Sequence, residues 1–272
     1  VRAFLSAVLG ASCGKKFFCT IGEGRTTCVY AVVKGQNYLH NHNSQRMLMD
    51  ARIIYLRQIP LFKGLSATEE EQLAQIMEPV SKGRYSIIFK PGDASDRLYF
   101  LAKGVVKIST HSADGREVIK SILHPNAMFG ERGLIGELER QDFAQALKEE
   151  VQLYAIRVSD FQMMMRRNFD LSNQVMQLFG NQLIQTENRL ESLLFKDART
   201  RIIEFIKESM ADQGRKVGFE MLLKHSLTHQ DIANITCTSR QTVTLVLNEL
   251  KKSDLIHFNR GKILVRDLAR LS

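Results

Sequence analysis

Apolar positions change their spacing several times along the chain, and each change marks a different kind of element. From Tyr55 the segment "IPLFKGLSATEEEQLAQIMEPVSKG" places Leu73, Ile76 and Met77 on one face, behind Ser66 and Glu69 at the spacing of a capping box. It predicts a short helix over 67–77, entered through a turn fixed by Pro60. Beyond it the apolar residues come in short runs, "YSIIFK", "RLYFLAKGVVKIST", "EVIKSILH" and "VQLYAIR", separated by Pro91-Gly92-Asp93, Asp114-Gly115 and Pro125-Asn126. Runs this short, with Gly, Asp and Pro between them, indicate the strands of an antiparallel β jelly roll or sandwich. Asp114-Gly115 predicts a tight type I′ hairpin.

The period then lengthens. Between Asp170 and Phe195 there is no Pro and only Gly180, and Met176, Phe179, Leu183, Thr186, Leu190 and Leu193 recur three and four residues apart. Thr186 is the one polar member of this seam, and Gln174, Gln177, Asn181, Asn188 and Glu191 occupy the other face. The pattern predicts a long dimerisation helix, against the plainer alternative of a helix packed only on its own roll. Met163, Met164 and Met165, just before it, are expected as core filler.

The last segment alternates again. "FKDARTRIIEFIKESMADQG" predicts a helix ending at Gly214 with Ile202, Ile203, Phe205 and Ile206 inward, and "GRKVGFEMLLKHS" a short hairpin. In "LTHQDIANITCTSRQTVTLVLNELKKSDLIHFNRGKILVRD", Thr228 caps one helix and Ser239 a second, with Thr242 three residues on; a hairpin turning at Asn259 to Lys262 closes the chain. Two short helices joined by a tight turn and followed by a two-stranded wing describe a winged helix-turn-helix. In such a unit the start of the second helix meets base edges in the major groove. Arg presents a bidentate pair to guanine and Gln to adenine, so Arg240 and Gln241 are the candidate base readers, beside Ser239. Thr228, His229, Gln230, Thr242 and Thr244 are the candidate contacts around them, the hydroxyls and amide suited to phosphate. Val243, Val246, Leu247 and Leu250 are expected to face the core.

Composition narrows the partners. The 272 residues, 44% of them hydrophobic, leave room for two cores, and a net charge of +9 favours a polyanion. Basic residues outnumber acidic ones seven to two over 1–52 and 14 to 9 over 196–272, while 53–195 is balanced at 17 to 18. The expected organisation is a basic, disordered extension over 1–52, the roll over 53–169, the dimerisation helix over 170–195 and the winged unit over 196–272: an α+β chain. Residues 1–46 show no sustained period and precede Met47, so they are expected to be dispensable. Cys13, Cys19 and Cys28 lack the closely spaced pairs of a metal or iron–sulfur site, and Cys237 lies far away. "FLSAVLGA" is too short for a membrane span and lacks a placed cleavage signature, so a reducing, cytoplasmic setting without membrane is expected.

The run "IIFKPGDASDRLYFLAKGVVKI", followed by "AMFGERGLI", resembles the cyclic-nucleotide-binding roll of the CRP/FNR family of bacterial regulators, with Gly92, Gly104 and Gly130 at that pattern's turn glycines. "TSRQTV" is similar to the family's recognition helix, which reads Ser-Arg-x-Thr-Val. The resemblance implies a homodimer acting on double-stranded DNA, with a two-fold symmetric operator and contact with RNA polymerase. In nucleotide-binding members a Gly-Glu pair works with a downstream Arg-Ser or Arg-Thr, the Glu taking the ribose hydroxyl and the Arg the phosphate. Gly130 and Glu131 match. Counting back from Ile156 and Phe161 puts Gln141 and Asp142 at the second pair, with Arg140 one place early. A carboxylate beside a phosphate is repulsive, so these five positions form a degraded effector site and a cyclic nucleotide is disfavoured. No cofactor or metal is expected, since His111 and His124, the two histidines that could ligate a haem iron, stand alone near turns. Two further departures concern the winged unit: Cys237 stands in the turn where the family has Gly, and Leu245 where nucleotide-responsive members carry another Arg.

Two other classes compete. A ligand-controlled protein-interaction module with vestigial DNA binding would be indifferent to Arg240→Ala. Catalysis has no support: no Ser or Cys nucleophile has His and acid partners in a recognisable motif, and no Walker-type loop is present.

Overall fold

The computed structural model describes residues 51–259 and 261–271. The basic extension, with Cys13, Cys19 and Cys28, lies outside the described residues apart from its last two positions. Those two are helical, because 51–56 form a turn and a half of helix whose Arg52 donates to the Ala74 carbonyl at 2.9 Å.

Ser66 caps helix α1 (Ala67–Ile76) and Glu69 returns the bond to the Ser66 N–H, so the expected capping box is present. Two four-stranded antiparallel sheets follow, in the orders β1-β8-β3-β6 and β2-β7-β4-β5. Their strands are β1 (Glu78–Lys82), β2 (Ile87–Phe89), β3 (Arg97–Lys103), β4 (Val106–His111), β5 (Glu117–Leu123), β6 (Met128–Phe129), β7 (Phe143–Ala146) and β8 (Val151–Arg157). Strand β3 serves two cores. Leu101 packs inside the roll with Val106, Phe129 and Leu153, whereas Phe100 meets Phe62 and Phe161 of the flanking helices, with ring centroids 5.3 and 6.2 Å apart. Gly104 makes the β3–β4 turn at φ 91°, and a Cβ there would lie 2.7 Å from Val151 Cγ1.

Several expectations need correcting. The β4–β5 loop is not type I′, since only Gly115 has positive φ and its N–H donates to the Ser112 carbonyl. Type I′ requires positive φ at both central residues. The three methionines lie on α2 (Val158–Arg167), where Met163 is 50% exposed and Phe161, not Met, fills the core.

Helix α3 (Phe169–Phe195) is 27 residues long, capped by Asn168, and breaks at Lys196 where Asp197 caps α4 (Ala198–Gln213). The C-terminal unit adds β9 (Arg215–Val217), β10 (Glu220–Lys224), α5 (His229–Thr236), α6 (Arg240–Lys252), β11 (Ile256–Asn259) and β12 (Lys262–Val265). Its wing is wider than a hairpin: the strands join in one sheet of order β11-β12-β10-β9. Ile202, Ile206, Met210, Ile232, Val243, Leu247 and Leu250 are buried together beneath it.

The winged unit is fastened to the roll through α5. Arg189 of α3 donates to the carbonyls of Ile119 and Lys120 on β5 and of Ile235 on α5, at 2.8, 2.8 and 2.6 Å. Asn234 donates to Glu117 at 2.8 Å, and Glu117 pairs with Lys107 at 2.6 Å. Burial acts to raise the Glu117 pKa, but hydrogen bonds from Lys107, Ser109 and Asn234 outweigh it and hold the carboxyl below its usual range.

Beside this fastening a cleft of about 1100 Å³ opens between roll, α3, α4 and winged unit, with His124, His225 and Glu208 on its walls. Burial lowers the His124 pKa against the pull of Asp212, and burial lowers that of His225 with help from Lys148. A group lowered in this way takes its proton more readily in the unfolded chain, so stability is lost as pH falls through the ordinary imidazole range. Glu208 is raised by burial and by Glu204 and Asp212, an effect of opposite sign. The melting temperature is therefore expected to drop between about pH 7.5 and 5.5, and His124→Gln to flatten that drop. A wild-type melting temperature constant over that interval would contradict the assignment.

Candidate nucleic-acid interface

Local chemistry sets where α6 begins. Thr228 and Asp231 form a reciprocal capping box that starts α5, with Asp231 N–H to Thr228 Oγ1 at 3.1 Å and Thr228 N–H to Asp231 Oδ2 at 2.7 Å. Cys237 ends α5 in the left-handed region, φ 50° and ψ 49°. Both Cys237 and Thr238 direct their N–H groups to the Ala233 carbonyl, which turns the chain sharply enough for Ser239 to cap α6 two residues later. Ser239 accepts from the Thr242 N–H at 3.0 Å, and the two hydroxyls meet at 2.8 Å.

The polar residues marked for DNA divide into two groups. Ser239, Thr242, Thr228, His229 and Thr244 have internal partners: His229 Nδ1 lies 3.0 Å from Thr244 Oγ1, which donates to the Arg240 carbonyl at 2.9 Å. This pair ties α5 to α6, with the His229 ring edge-on to Phe258. Gln230 donates to Asn234 at 2.8 Å and so joins the chain of contacts to Glu117. Arg240 and Gln241 differ. Both are exposed at the start of α6, and neither side chain has a hydrogen-bond partner among the described residues. Val243, Val246, Leu247 and Leu250 are all within 3% of full burial on the opposite side, as their spacing required. Asn248, also exposed and unpaired, was not marked, although it stands seven residues from Gln241 on the same face.

The five effector candidates also meet in space, but with one another's neighbours already engaged. Gly130 is left-handed at φ 77°. Arg140 is 3% exposed and turns inward, donating to the carbonyls of Gly130 (3.0 Å) and Arg97, with its guanidinium 4.4 Å from the Phe89 ring centroid. Burial lowers its pKa against the opposing pull of Tyr99, Glu137, Asp96 and Glu131. Asp142 is 7% exposed and pairs with Lys120 at 2.6 Å and Arg132 at 3.3 Å. Glu131 accepts from Gln182 of α3 at 3.0 Å, and Gln141 turns back to the Glu139 carbonyl. Lys120, Arg132 and Gln182 were not read from the sequence, because nothing in their local spacing distinguishes them from surface residues.

On α3, Met176, Leu183 and Leu190 are 64, 60 and 57% exposed, Leu193 is 39% exposed, Phe179 is half-buried, and Thr186 is exposed and bonded to the Gln182 carbonyl. The seam is continuous and uncovered. Among the described residues no helix is long and apolar enough to cross a membrane, and no group of His, Cys, Asp and Glu could hold a metal ion.

Residues 80–168 match the family model of the cyclic nucleotide-binding domain, and residues 200–272 that of the Crp-like helix-turn-helix domain. A global nitrogen regulator of Synechocystis sp. is 30% identical over 213 residues, 77% of this chain and 95% of that one. A CRP-like cAMP-activated global transcriptional regulator of Mycobacterium tuberculosis is 27% identical over 212 residues, 78% of this chain and 94% of that one. Among solved structures, a transcriptional regulator of the CRP/FNR family from Thermus thermophilus superposes with a TM-score of 0.57 at 27% identity, over 71% of this chain and 96% of that one. FixK2 from Bradyrhizobium japonicum, at 19% identity and a TM-score of 0.65 over 72% and 96% of the two chains, shares the fold.

A side chain in the left-handed region is strained by about 1 kcal/mol or more, which Gly avoids. Cys237→Gly is expected to raise the unfolding free energy by about 1 kcal/mol in urea titrations. A loss of stability would show that the turn depends on the thiol.

Proposed function

The chain belongs to the CRP/FNR family of transcription regulators, with a DNA-binding helix-turn-helix, and on that premise we propose that it works as a cytoplasmic homodimer on a two-fold symmetric operator without a cyclic nucleotide. The observation that carries the reading is the start of α6. Ser239 fixes the helix end, the core holds one face, and Arg240 and Gln241 project from the other with their donors and acceptors unpaired. Arg240 fits guanine O6 and N7, and Gln241 fits adenine N6 and N7. Thr228 and the first-turn hydroxyls of α6 hold the helix geometry, while exposed Gln230 and backbone N–H groups meet phosphate. RNA polymerase is the downstream partner that family membership implies.

For the roll, the support is electrostatic. A nucleotide phosphate would need Arg140, which is already bonded to two carbonyls and an aromatic face, and would approach Asp142. Lys120 and Arg132 both pair with that carboxylate, and Arg132 also faces Glu137 at 3.7 Å, so the cations a phosphate would use have internal counter-ions.

The test is selection from a random duplex pool with the full chain at fixed salt, followed by sequencing. A symmetric site is expected to emerge without added nucleotide, with half-site centres about 34 Å apart or a multiple of it. Arg240→Ala should relax one position per half-site at a cost of about 1–3 kcal/mol, and cyclic AMP should leave the Kd unchanged. Enrichment only when cyclic AMP is added would overturn the reading of the roll, and enrichment of asymmetric sites that of the dimer.

The uncovered seam of α3 gives an independent check. Replacing Leu183 and Leu190 by Lys should yield a monomer in sedimentation and weaken operator binding at least a hundredfold, since the two half-sites then bind separately, on the order of the gain that linkage provides. A double variant that still sediments as a dimer would place the interface elsewhere.

A further inference from the structure

Helix α6 carries an apolar side chain where the proposed interface calls for polar ones. Leu245 is 58% exposed, whereas Val243, Val246, Leu247 and Leu250 on the same helix are no more than 3% exposed. At 3.6 residues per turn, Gln241, Leu245 and Asn248 form one stripe running along the side of α6 directly away from the core. Gln241 and Asn248 are exposed and have no hydrogen-bond partner among the described residues. The neighbouring Thr244, which could otherwise offer a hydroxyl to a base, is held by His229 and the Arg240 carbonyl. The outward stripe is therefore amide, leucine, amide, on a unit with an excess of basic residues.

We propose that Leu245 reads thymine: its side chain packs on the 5-methyl group of a thymine in each half-site and makes that position a specificity determinant. This rests on α6 being the helix that reads bases, and adds the base that its middle recognises. Thymine alone among the four bases presents a methyl group to the major groove, while the other base edges present donors and acceptors. A leucine pressed against those edges would strip their water and return no hydrogen bond, so it discriminates against them as well as in favour of thymine. Leu245 lies about 6 Å along the helix from Gln241, which places the thymine about two base pairs from the adenine that Gln241 would hold.

The experiment uses the operator selected with the full wild-type chain. Each symmetry-related pair of thymines is replaced in turn by deoxyuridine, which removes only the methyl group, and Kd is measured at fixed salt for wild type, Leu245→Ala and Arg240→Ala. One pair is expected to weaken wild-type binding about fourfold per half-site, the worth of one buried methyl group, or about fifteenfold for both. Leu245→Ala should bind the thymine and uracil duplexes at that pair equally, and should match wild type in its response to every other replacement. Placing 5-methylcytosine at the same pair should recover affinity relative to cytosine for wild type only. The proposal is overturned if no replacement affects wild type more than Leu245→Ala. If Arg240→Ala still weakens binding in that case, only the role of Leu245 falls; if Arg240→Ala is also neutral, α6 does not read bases and both readings fall. Because the deoxyuridine scan of wild type alters no residue, a folding defect in a variant cannot mask the result.

Discussion

Three backbone carbonyls from two parts of the molecule converge on one guanidinium, that of Arg189, and the attitude of the DNA-binding unit follows from it. Ile119 and Lys120 belong to the roll and Ile235 to α5, while Arg189 itself rides on the long helix. A planar fork with five donors can hold three carbonyls at once; a lysine ammonium, a single point at the end of a flexible stem, would not fix their relative directions. Asn234, next to Ile235 in the chain, and Glu117 repeat the attachment. Since His229 and Thr244 then join α5 to α6, the direction in which Arg240, Gln241 and Leu245 project is set by a chain of contacts beginning on the long helix.

The charged side chains buried in the roll are mostly engaged by protein groups, although Arg140 Nε is left without a partner among the described residues. Arg140 has two carbonyls and an aromatic face, Asp142 two cations, and Glu117 a lysine and an asparagine. Removing one member of such a group would leave a charge without a partner in a poorly solvated site, a cost that exceeds what the contact itself contributes. At the start of α6, by contrast, Arg240 and Gln241 are left in water without partners among the described residues, the helix fixing where their stems begin but not their rotamers. Ordering such side chains against a partner costs rotamer freedom, which the hydrogen bonds they make must exceed.

Features written in local spacing were legible before the structure. The Ser66–Glu69 box, the Thr228 and Ser239 caps, and the inward Val243, Val246, Leu247 and Leu250 all depend on residues within one or two turns of each other. The left-handed Cys237 was legible through the family pattern, which has Gly there. What escaped depends on distant partners. Arg140 is inward because Phe89 supplies a ring across the sheet, and Arg189 is a fastening because β5 and α5 bring carbonyls to it. Strands β1 and β7, "EPVSK" and "FAQA", have too little alternation to stand out, and they exist because β8 and β4 pair with them. The methionines of α2 misled for a related reason: apolar character alone does not say which face of a short helix meets the roll.

Strand β5 links these two kinds of region. Within four residues it carries Glu117, which holds α5 through Asn234, and Lys120, whose ammonium neutralises Asp142 and whose carbonyl accepts from Arg189. The surroundings of Asp142 and the fastening of the winged unit thus share one residue. Lys120 meets Asp142 through its ammonium at 2.6 Å and Arg189 through its backbone carbonyl at 2.8 Å. Ile235 of α5 is held by the same guanidinium, so roll, long helix and winged unit meet at this one group. A planar guanidinium with attachments on both sides is enough to tie the roll to the winged unit at one point.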